Sequence, residues 1–296
     1  MRQKLGQHFL EDDSVTEKII STLSLGGETI IEIGSGRGAL TIPLASALKE
    51  KNGKLIAIEK DPELAQEARK WNLENLEIIE GDVLEILPSL SSKLKTISYE
   101  LVGNIPYYLT GFLLRTVGEL AHKPMLTVFT VQKEVAERIV AMPPKMNKLA
   151  ASVQFWSDPK IISIVSRKSF NPPPEVDSAI IMLKTKKSPS SSHVIPANAG
   201  IHMAYGALDP MVKPEDDGKK TRNNLGQKKY YKTVHALFAQ PRKTILNNLC
   251  STSKLKRQDA ALEISSALAK LGINPKDRPQ NLSIDNIVSI AESLIA

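Results

Sequence analysis

TIIEIGSGRG, residues 29 to 38, decides the fold of this chain, because an apolar segment rich in β-branched residues runs directly into a glycine-rich turn. Residues 38 to 50 behind the turn are compatible with a helix, so the stretch predicts a strand, a turn and a helix in succession. Gly34, Gly36 and Gly38 lack Cβ atoms and let the backbone approach a ligand closely. Their GxGxG spacing differs from the GxGxxG of dinucleotide sites and suits a ligand without phosphates.

The same alternation of strand and helix continues on both sides of this turn. Strand-like runs occupy 29 to 33, 54 to 59, 76 to 80, 98 to 103, 126 to 131 and 178 to 183. Helix-compatible segments occupy 14 to 24, 38 to 50, 61 to 72, 109 to 120 and 133 to 141. Such alternation is typical of an α/β fold with helices on both faces of the sheet. We therefore predict a doubly wound, mainly parallel, Rossmann-like sheet, in which ligands bind at the carboxyl ends of the strands.

The C-terminal part of the chain has a different pattern, because three amphipathic segments predict a small all-helical domain. They cover 233 to 249, 258 to 271 and 283 to 295. Residues 188 to 228 carry SPSSS, several Pro and Gly and a mixed charged tract without periodicity, which is typical of a disordered insertion. A mobile loop that grips RNA is the functional alternative. The predicted domains are therefore 1 to 187 and 229 to 296, separated by this insertion.

Composition narrows the class of partner. The chain has 296 residues, and 39 Lys and Arg against 32 Asp and Glu give a net charge of +7 and a pI near 9.3. A basic balance suits a polyanionic partner such as nucleic acid. No apolar run reaches the roughly 18 residues that span a bilayer, so we expect a cytoplasmic protein without a membrane partner. One cysteine, Cys250, and five histidines without paired spacing predict no disulfide and no metal site.

Two acidic residues stand at the ends of the next two predicted strands. Glu59 ends IAIE and is placed to accept hydrogen bonds from both hydroxyls of a ribose, and a solvated charge before Lys60 is the alternative. Asp82, in EGDVL, is placed to accept a hydrogen bond from an adenine amino group, and a helix N-cap is the alternative. The glycine turn and these two acceptors at successive strand ends fit S-adenosylmethionine, whose sulfonium needs no phosphate clamp.

Asn104-Ile105-Pro106-Tyr107 follows the strand-like segment 98 to 103. It indicates a site that orients a nucleobase amine to receive a methyl group. The exocyclic amine of adenine is a poor nucleophile, because its lone pair is delocalised into the ring. The Asn104 side-chain oxygen and the Ile105 carbonyl can accept hydrogen bonds from both of its N–H groups and turn the lone pair toward a methyl donor. Tyr107 offers a face on which a base can stack. Taken alone, the four residues would also suit an ordinary strand-to-helix turn.

Taken in order, the motifs resemble those of the small-subunit ribosomal RNA adenine N6,N6-dimethyltransferase family, the KsgA type. The matching stretches are GQHFL at 6 to 10, EIGSGRGALT at 32 to 41, IEKD at 58 to 61, GDVL at 81 to 84, NIPY at 104 to 107, VQKEVAERI at 131 to 139, FNPPPEVDS at 170 to 178, KTILNNL at 243 to 249 and RPQNLS at 278 to 283. The resemblance covers nearly everything except 188 to 228, and the ordered set is far more specific than any one motif.

The resemblance implies which residues bind the methyl donor and the base. The residues expected to line the S-adenosylmethionine site are His8, Leu10, Gly34, Gly36, Glu59, Asp82 and Asn104. Tyr107 and Phe170 resemble the aromatic pair that sandwiches the target adenine, although Phe170 could equally be a core aromatic before the proline run at 172 to 174. A buried imidazole that packs the N-terminal segment is the alternative role of His8.

The chain departs from the family pattern in two places. Gln240-Pro241-Arg242 stands where the family tends to carry paired arginines, so we expect one RNA contact to be lost and a helix to begin at Pro241. VIPANAGIH and DPMVKPEDDG, within 188 to 228, resemble translated palindromic repeats that invade coding sequences. The insertion would then be a passenger.

The resemblance also implies the reaction. It is methyl transfer from S-adenosylmethionine to N6 of two adjacent adenines, twice on each, in the hairpin loop near the 3′ end of small-subunit (16S) rRNA. The expected partner is the assembling small ribosomal subunit, and a monomer is expected. The alternatives are a large-subunit rRNA adenine methylase, a DNA adenine methylase, and an assembly factor with little catalysis. The RPQNLS tail favours the small subunit, and an intact NIPY argues against a pure binding protein.

Overall fold

The computed structural model describes residues 8–26, 29–94, 97–186, 221–252 and 257–294. The strands are β1 (Phe9–Leu10), β2 (Thr29–Ile33), β3 (Lys54–Glu59), β4 (Leu76–Glu80), β5 (Tyr99–Asn104), β6 (Leu126–Gln132), β7 (Ser157–Val165), β8 (Phe170–Asn171) and β9 (Ser178–Thr185). The helices are α1 (Asp13–Ile20), α2 (Thr41–Lys49), α3 (Pro62–Arg69), α4 (Val83–Lys93), α5 (Thr110–Glu119), α6 (Lys133–Ile139), α7 (Lys148–Gln154), α8 (Thr221–Leu237), α9 (Ile245–Cys250), α10 (Arg257–Lys270) and α11 (Ile284–Leu294).

One mainly parallel sheet of seven strands organises the first compact unit, in the order β4-β3-β2-β5-β6-β9-β7. The first five of these strands run parallel, whereas β9 pairs antiparallel with β6 and β7. Each strand-like run predicted from the sequence corresponds to one of these strands. The chain order reverses at β2, and sheets of this kind bind ligands at the carboxyl end of such a switch point. The predicted doubly wound, Rossmann-like fold is confirmed.

The central strands are mainly apolar because helices cover both faces of the sheet, although Glu32 of β2 and Glu100 of β5 are also buried. Ile30 and Ile31 of β2, Leu55 of β3 and Leu101 of β5 are completely buried. Beside this sheet, β1 and β8 form a separate two-stranded antiparallel pair in which Leu10 lies opposite Phe170. The pair brings the N-terminal segment next to the FNPPP motif.

Gly103 allows β5 to lie directly against β2. A Cβ atom at Gly103 would lie 2.7 Å from the carbonyl oxygen of Ile33 and 3.2 Å from the Ile33 Cβ. The nearest atom belongs to the backbone, so no side-chain rotation could relieve the clash. Gly103 therefore fixes the spacing of the two strands immediately before Asn104.

Gly103→Ala should lower the free energy of unfolding by about 1 to 3 kcal/mol, the usual cost of forcing extra volume into a packed core. A thermal melt followed by circular dichroism measures the loss. Gly111→Ala in α5 is the matched control, because a Cβ there meets no atom within 4 Å and alanine favours a helix over glycine by about 1 kcal/mol. A Gly103→Ala protein that melted at the wild-type temperature would show that β5 can move away from β2.

The second compact unit is helical and includes residues 141–155 as well as the described C-terminal helices. Phe155 stacks on Tyr230 of α8 with ring centroids 3.9 Å apart. The Tyr230 hydroxyl donates to the Ala151 carbonyl at 2.9 Å. These contacts anchor α7 to α8 within one core. The sequence assigned 141 to 155 to the first domain, and the structure groups this segment with the helices instead.

The predicted insertion also has a different boundary. Helix α8 begins at Thr221, so residues 221–228 are helical although composition predicted disorder. The rest of the predicted insertion, 188 to 220, lies outside the described residues. Apolar periodicity missed the start of this helix because the tract KKTRNN is strongly polar.

The helix predicted to begin at Pro241 is wrong, because residues 240–243 form a turn between α8 and α9. Asn248, which is 1% exposed, stabilises this turn. Its amide nitrogen, with two protons to donate, lies 3.0 Å from the Gln240 carbonyl, 3.2 Å from that of Lys243 and 3.1 Å from that of Thr244. Its oxygen accepts from the Gln240 amide at 3.0 Å. These bonds satisfy backbone groups that a helix would otherwise have paired.

Among the described helices, none combines the length and the apolar composition required to cross a bilayer.

Candidate active site

A cavity of about 380 Å³ opens at the carboxyl ends of β2 to β5. The residues that the sequence assigned to the donor and base sites all line it, whereas Gly38 of the glycine turn does not. They are His8, Leu10, Gly34, Gly36, Glu59, Asp82, Asn104, Ile105, Tyr107 and Phe170. Residues separated by up to 162 positions along the chain therefore meet in one place, His8 at one end and Phe170 at the other.

The glycine turn forms one wall of the cavity. Gly34 has φ +78° and Gly38 has φ +87°, and both values lie in the left-handed region that favours glycine. A Cβ at Gly38 would lie 2.8 Å from Ile42 and 2.9 Å from Trp71, so only glycine fits there. A Cβ at Gly34 would meet no atom within 4 Å. The turn is thus packed on its outer side and leaves space at Gly34.

Glu59 fastens the glycine turn. It is 4% exposed, so the alternative of a solvated charge is wrong. Its Oε2 accepts from the Gly36 amide at 2.9 Å and lies 3.4 Å from the Ser35 hydroxyl, and its Oε1 accepts from the Asp61 amide at 2.9 Å. A carboxylate has about four acceptor positions, so capacity for a ligand hydroxyl remains. The ribose contact itself stays a prediction.

Asp82 caps a helix and holds a lysine at the same time. Its Oδ1 accepts from the Leu84 amide at 2.9 Å as the N-cap of α4, which is the structural role that the sequence left open. Its Oδ2 pairs with the Lys60 ammonium at 2.7 Å. This hydrogen bond lowers the pKa of Asp82, so the group stays ionised at neutral pH. It remains a candidate acceptor for an adenine amino group.

Asn104 is oriented by one hydrogen bond. Its side-chain nitrogen donates to the His8 carbonyl at 2.9 Å. Only nitrogen can donate to a carbonyl oxygen, so the side-chain oxygen faces the other way. That oxygen has no hydrogen-bond partner within the described part of the chain. Among these described residues, Asn104 thus presents an oriented acceptor without a partner at the end of β5.

The rest of NIPY is anchored to neighbouring strands. The Ile105 amide donates to the Thr130 carbonyl of β6 at 3.1 Å, which holds the turn that carries the Ile105 carbonyl. The Tyr107 hydroxyl lies 2.9 Å from the Ser178 hydroxyl, and burial raises the pKa of Tyr107. The Tyr107 ring stays neutral and lies 5.9 Å, centroid to centroid, from the His8 ring.

Phe170 and His8 lie where β1 and β8 meet. Phe170 is 4% exposed and packs in the same core cluster as Leu10, which fits the alternative of a core aromatic, although its ring also lines the cavity. The His8 ring is half-buried and its Nδ1 donates to the Pro172 carbonyl at 2.7 Å. The sandwich of an adenine by Tyr107 and Phe170 stays a prediction.

Sequence reasoning missed Glu32. It lines the cavity from within β2, is 1% exposed, and burial raises its pKa to about 8. An acidic residue inside the otherwise apolar run TIIEI is unusual for a strand covered on both faces, and that signal could have identified it. Tyr108 and Phe112, both exposed, also line the cavity and were not predicted. No group of three or more metal-binding side chains occurs among the residues described.

Comparison with known proteins identifies the relatives of this chain. The family model described as ribosomal RNA adenine dimethylase matches residues 1–195. The ribosomal RNA small subunit methyltransferase A of Dehalococcoides mccartyi strain 195 is 34% identical over 287 residues, which cover 96% of this chain and 85% of that protein.

Solved structures share the fold. A dimethyladenosine transferase from Plasmodium falciparum aligns with a TM-score of 0.69 at 23% identity and covers 96% of both chains. The 23S rRNA methyltransferase ErmE aligns with a TM-score of 0.62 at 21% identity, over 97% of this chain and 99% of its own. At these identities the likeness concerns the fold alone.

Proposed function

Since this chain belongs to the ribosomal RNA adenine dimethylase family, we propose that it methylates N6 of two adjacent adenines in small-subunit rRNA, twice on each. The target is the hairpin loop near the 3′ end, and S-adenosylmethionine is the methyl donor. The observation that carries this proposal is the Asn104 side chain beside the cavity. Its nitrogen is held by the His8 carbonyl, and its oxygen has no hydrogen-bond partner among the residues described. This arrangement is what an amine needs to be oriented without a strong base.

The residues of the cavity fit S-adenosylmethionine. Gly34 leaves open space, the carboxylates of Asp82 and Glu59 lie at the ends of neighbouring strands, and a buried Glu32 oxygen is unpaired among the described residues. An orphan carboxylate suits a cationic ligand better than a phosphate. When bound, this cofactor supplies an electrophilic methyl group on a positively charged sulfur.

The chain orients the acceptor amine. In this proposal the Asn104 oxygen and the Ile105 carbonyl each accept one N–H bond, which directs the lone pair out of the adenine ring plane. The amine becomes acidic once methylated, so its proton can leave to water. The neutral Tyr107 ring offers a stacking face at the same turn, and its hydroxyl bond to Ser178 holds the ring in position.

Loop adenines are favourable targets. Extruding a base from a loop costs only a few kcal/mol of stacking and breaks no base pair. The partner that fits is ribosomal RNA within the assembling small subunit, and we further propose that a single copy of the chain acts on it in the cytoplasm, where subunits assemble. The helical unit supplies RNA contacts in this proposal, with exposed Arg242 and Lys243 in the turn before α9 as candidates.

The rival substrates are large-subunit rRNA and DNA, and the rival class is an assembly factor with little catalysis. The sequence relatives carry the small subunit in their names at 34% identity, whereas the 23S enzyme aligns at 21% and shows only the fold. A pure binding protein would need no oriented acceptor at Asn104.

Incubation of the purified protein with labelled S-adenosylmethionine separates these substrates. Small subunits from cells without this modification, large subunits and duplex DNA are offered in parallel, and the products are located by mass spectrometry of nuclease fragments. We expect label as N6,N6-dimethyladenosine in the 3′ hairpin loop of small-subunit rRNA. Label confined to large subunits or DNA would overturn the proposal, and binding to small subunits without label would support the assembly factor.

RNA affinity should fall steeply with salt, because each phosphate contact by Lys or Arg contributes roughly 0.7 to 0.9 to the slope of log affinity against log salt. Replacing both Arg242 and Lys243 with Ala should reduce this slope by about 1.5. Filter binding to small subunits between 50 and about 200 mM salt, the range in which such contacts weaken, measures the slope. Lys51→Ala, at an exposed lysine in the first unit, is the control. A slope unchanged by the double variant would remove the turn from the RNA interface.

A further inference from the structure

Glu32 carries a buried carboxyl group that amine orientation does not use. Its Oε2 has no hydrogen-bond partner among the residues that the structure describes. The Thr41 hydroxyl favours the ionised form, but it also lies 3.3 Å from the Ser35 carbonyl, and one hydroxyl has only one proton to donate. A buried carboxylate with an unpaired oxygen is costly. Glu32 therefore needs either a proton or a cation.

The surroundings of Glu32 favour the proton. Burial first, and then the like charge of Glu59, raise the pKa of Glu32 to about 8. The other charged or titratable side chains lining the cavity are His8, Arg37, Lys60, Asp61, Asp82, Tyr107 and Tyr108. The two cationic side chains of the cavity have other partners. Lys60 pairs with Asp82 at 2.7 Å, and Arg37 lies 4.4 Å above the Phe9 ring. We therefore expect the carboxyl group of the ligand-free protein to be protonated at neutral pH.

The order of the strands indicates which part of the ligand faces Glu32. Asp82 follows β4, Glu59 ends β3, Glu32 lies in β2 and Asn104 ends β5, and these four strands are consecutive neighbours in the sheet. The proposed contacts run in the same order, from adenine through ribose to the methyl acceptor. The sulfonium links the ribose to the methyl group that is transferred to the acceptor. In this order it lies over β2, the strand between β3 and β5 that carries Glu32.

We propose that Glu32 distinguishes the charged methyl donor from the neutral product by changing its protonation state with each ligand. Its carboxylate pairs with the sulfonium of S-adenosylmethionine and releases one proton to solvent on binding. During transfer N6 bonds to the methyl carbon, the carbon–sulfur electron pair stays on sulfur, and N6 loses its proton to solvent. Glu32 then faces an uncharged thioether and regains a proton, which favours exchange of the product. This inference rests on the proposed function.

The sign of the pH dependence follows from this scheme. A donor that binds the ionised carboxylate binds more tightly as pH rises, by up to about tenfold per pH unit between pH 6 and 8, and more weakly below. S-adenosylhomocysteine lacks the sulfonium, so its affinity should change much less over the same range. Discrimination between donor and product should therefore increase with pH and level off above the Glu32 pKa.

Isothermal titration calorimetry at pH 7, in buffers with different ionisation enthalpies, counts the protons released. We expect close to one proton for S-adenosylmethionine, far fewer for S-adenosylhomocysteine, and about one for sinefungin, which carries a cationic amine in place of the methyl sulfonium. Glu32→Gln has the shape of the protonated residue, and it should release none and bind the donor with an affinity that is nearly independent of pH.

One control separates other sources of protons. Glu50→Gln removes an exposed carboxyl group at the end of α2. It should keep the donor-linked proton release. An equal release in Glu32→Gln, or none in the wild type, would overturn the inference while leaving the methyl transfer intact. Failure of the wild type to bind S-adenosylmethionine at all would instead overturn the proposed function.

A second readout uses the ligand-free protein. A buried acid whose pKa is raised from 4.5 to about 8 binds a proton more tightly when folded, so it stabilises the fold at low pH and less as pH rises through that window. The wild-type melting temperature should therefore fall relative to that of Glu32→Gln between pH 5 and about 8. Parallel melting profiles of the two proteins would contradict a protonated Glu32.

Discussion

Asn104→Ala should slow methyl transfer by roughly a hundredfold or more, the usual effect of removing one preorganised polar group that acts in the transition state. The Asn104 oxygen accepts from an amine whose lone pair is freed mainly in the transition state. The substitution should therefore affect the rate of methyl transfer more than the affinity for substrate. Some loss of donor affinity is also expected, because the residue lines the donor cavity. Subunit binding should persist through distant phosphate contacts.

Single-turnover assays with saturating labelled donor, together with a melting curve, test this expectation. Asn104→Asp keeps an acceptor but cannot donate to the His8 carbonyl, so it should also be slow, because the side chain loses its orientation. Asn286→Ala is the control for structural loss, since it removes the bonds to Ser283 in the helical unit. A stable Asn104→Ala protein with wild-type turnover would show that the residue only completes a turn.

Glu59→Ala should weaken S-adenosylmethionine binding by about 1.5 to 3 kcal/mol, which is the range for hydrogen bonds to charged groups. The carboxylate also fastens the Gly36 and Asp61 amides, so the turn itself should loosen and the melting temperature should fall. Calorimetry measures the affinity. Glu67→Ala, at an exposed position of α3, is the control and should bind normally.

A double-mutant cycle separates a ribose contact from the structural effect of Glu59. Methylthioadenosine and its 2′-deoxy analogue are titrated into the wild type and Glu59→Ala. If Glu59 holds the ribose, removal of the hydroxyl weakens binding to the wild type and has little effect on the variant. The same loss in both proteins would limit Glu59 to holding the turn.

Sequence periodicity was sufficient for the central strands, because β2, β3, β5 and β6 are mainly apolar runs of ordinary length. It missed β7, where Pro159 and the polar start of the segment, Ser157 to Lys160, argue against a strand. β7 lies at the edge of the sheet, and an edge strand tolerates proline because one side of its backbone needs no partner. Local pattern cannot show which strand will occupy an edge.

The candidate site was predictable where a motif orders its residues, as in NIPY and the glycine turn. The burial of individual side chains was not predictable from the sequence, because it depends on tertiary packing. A solvated charge was the alternative for Glu59 and Glu32 was not predicted as a site residue, yet both are almost completely buried. The grouping of 141–155 with the C-terminal helices has the same origin, because its contacts with α8 join residues that are distant in the chain.

The central claim is that this chain dimethylates small-subunit rRNA through Asn104. The most direct test is mass spectrometry of small-subunit rRNA from a strain that lacks the gene, complemented with the wild type or with Asn104→Ala. We expect N6,N6-dimethyladenosine at two adjacent positions of the 3′ hairpin loop to disappear on deletion, to return with the wild type, and to stay near the deletion level with Asn104→Ala. Full dimethylation in the deletion strain, or its full return with a stably expressed Asn104→Ala, would contradict the claim.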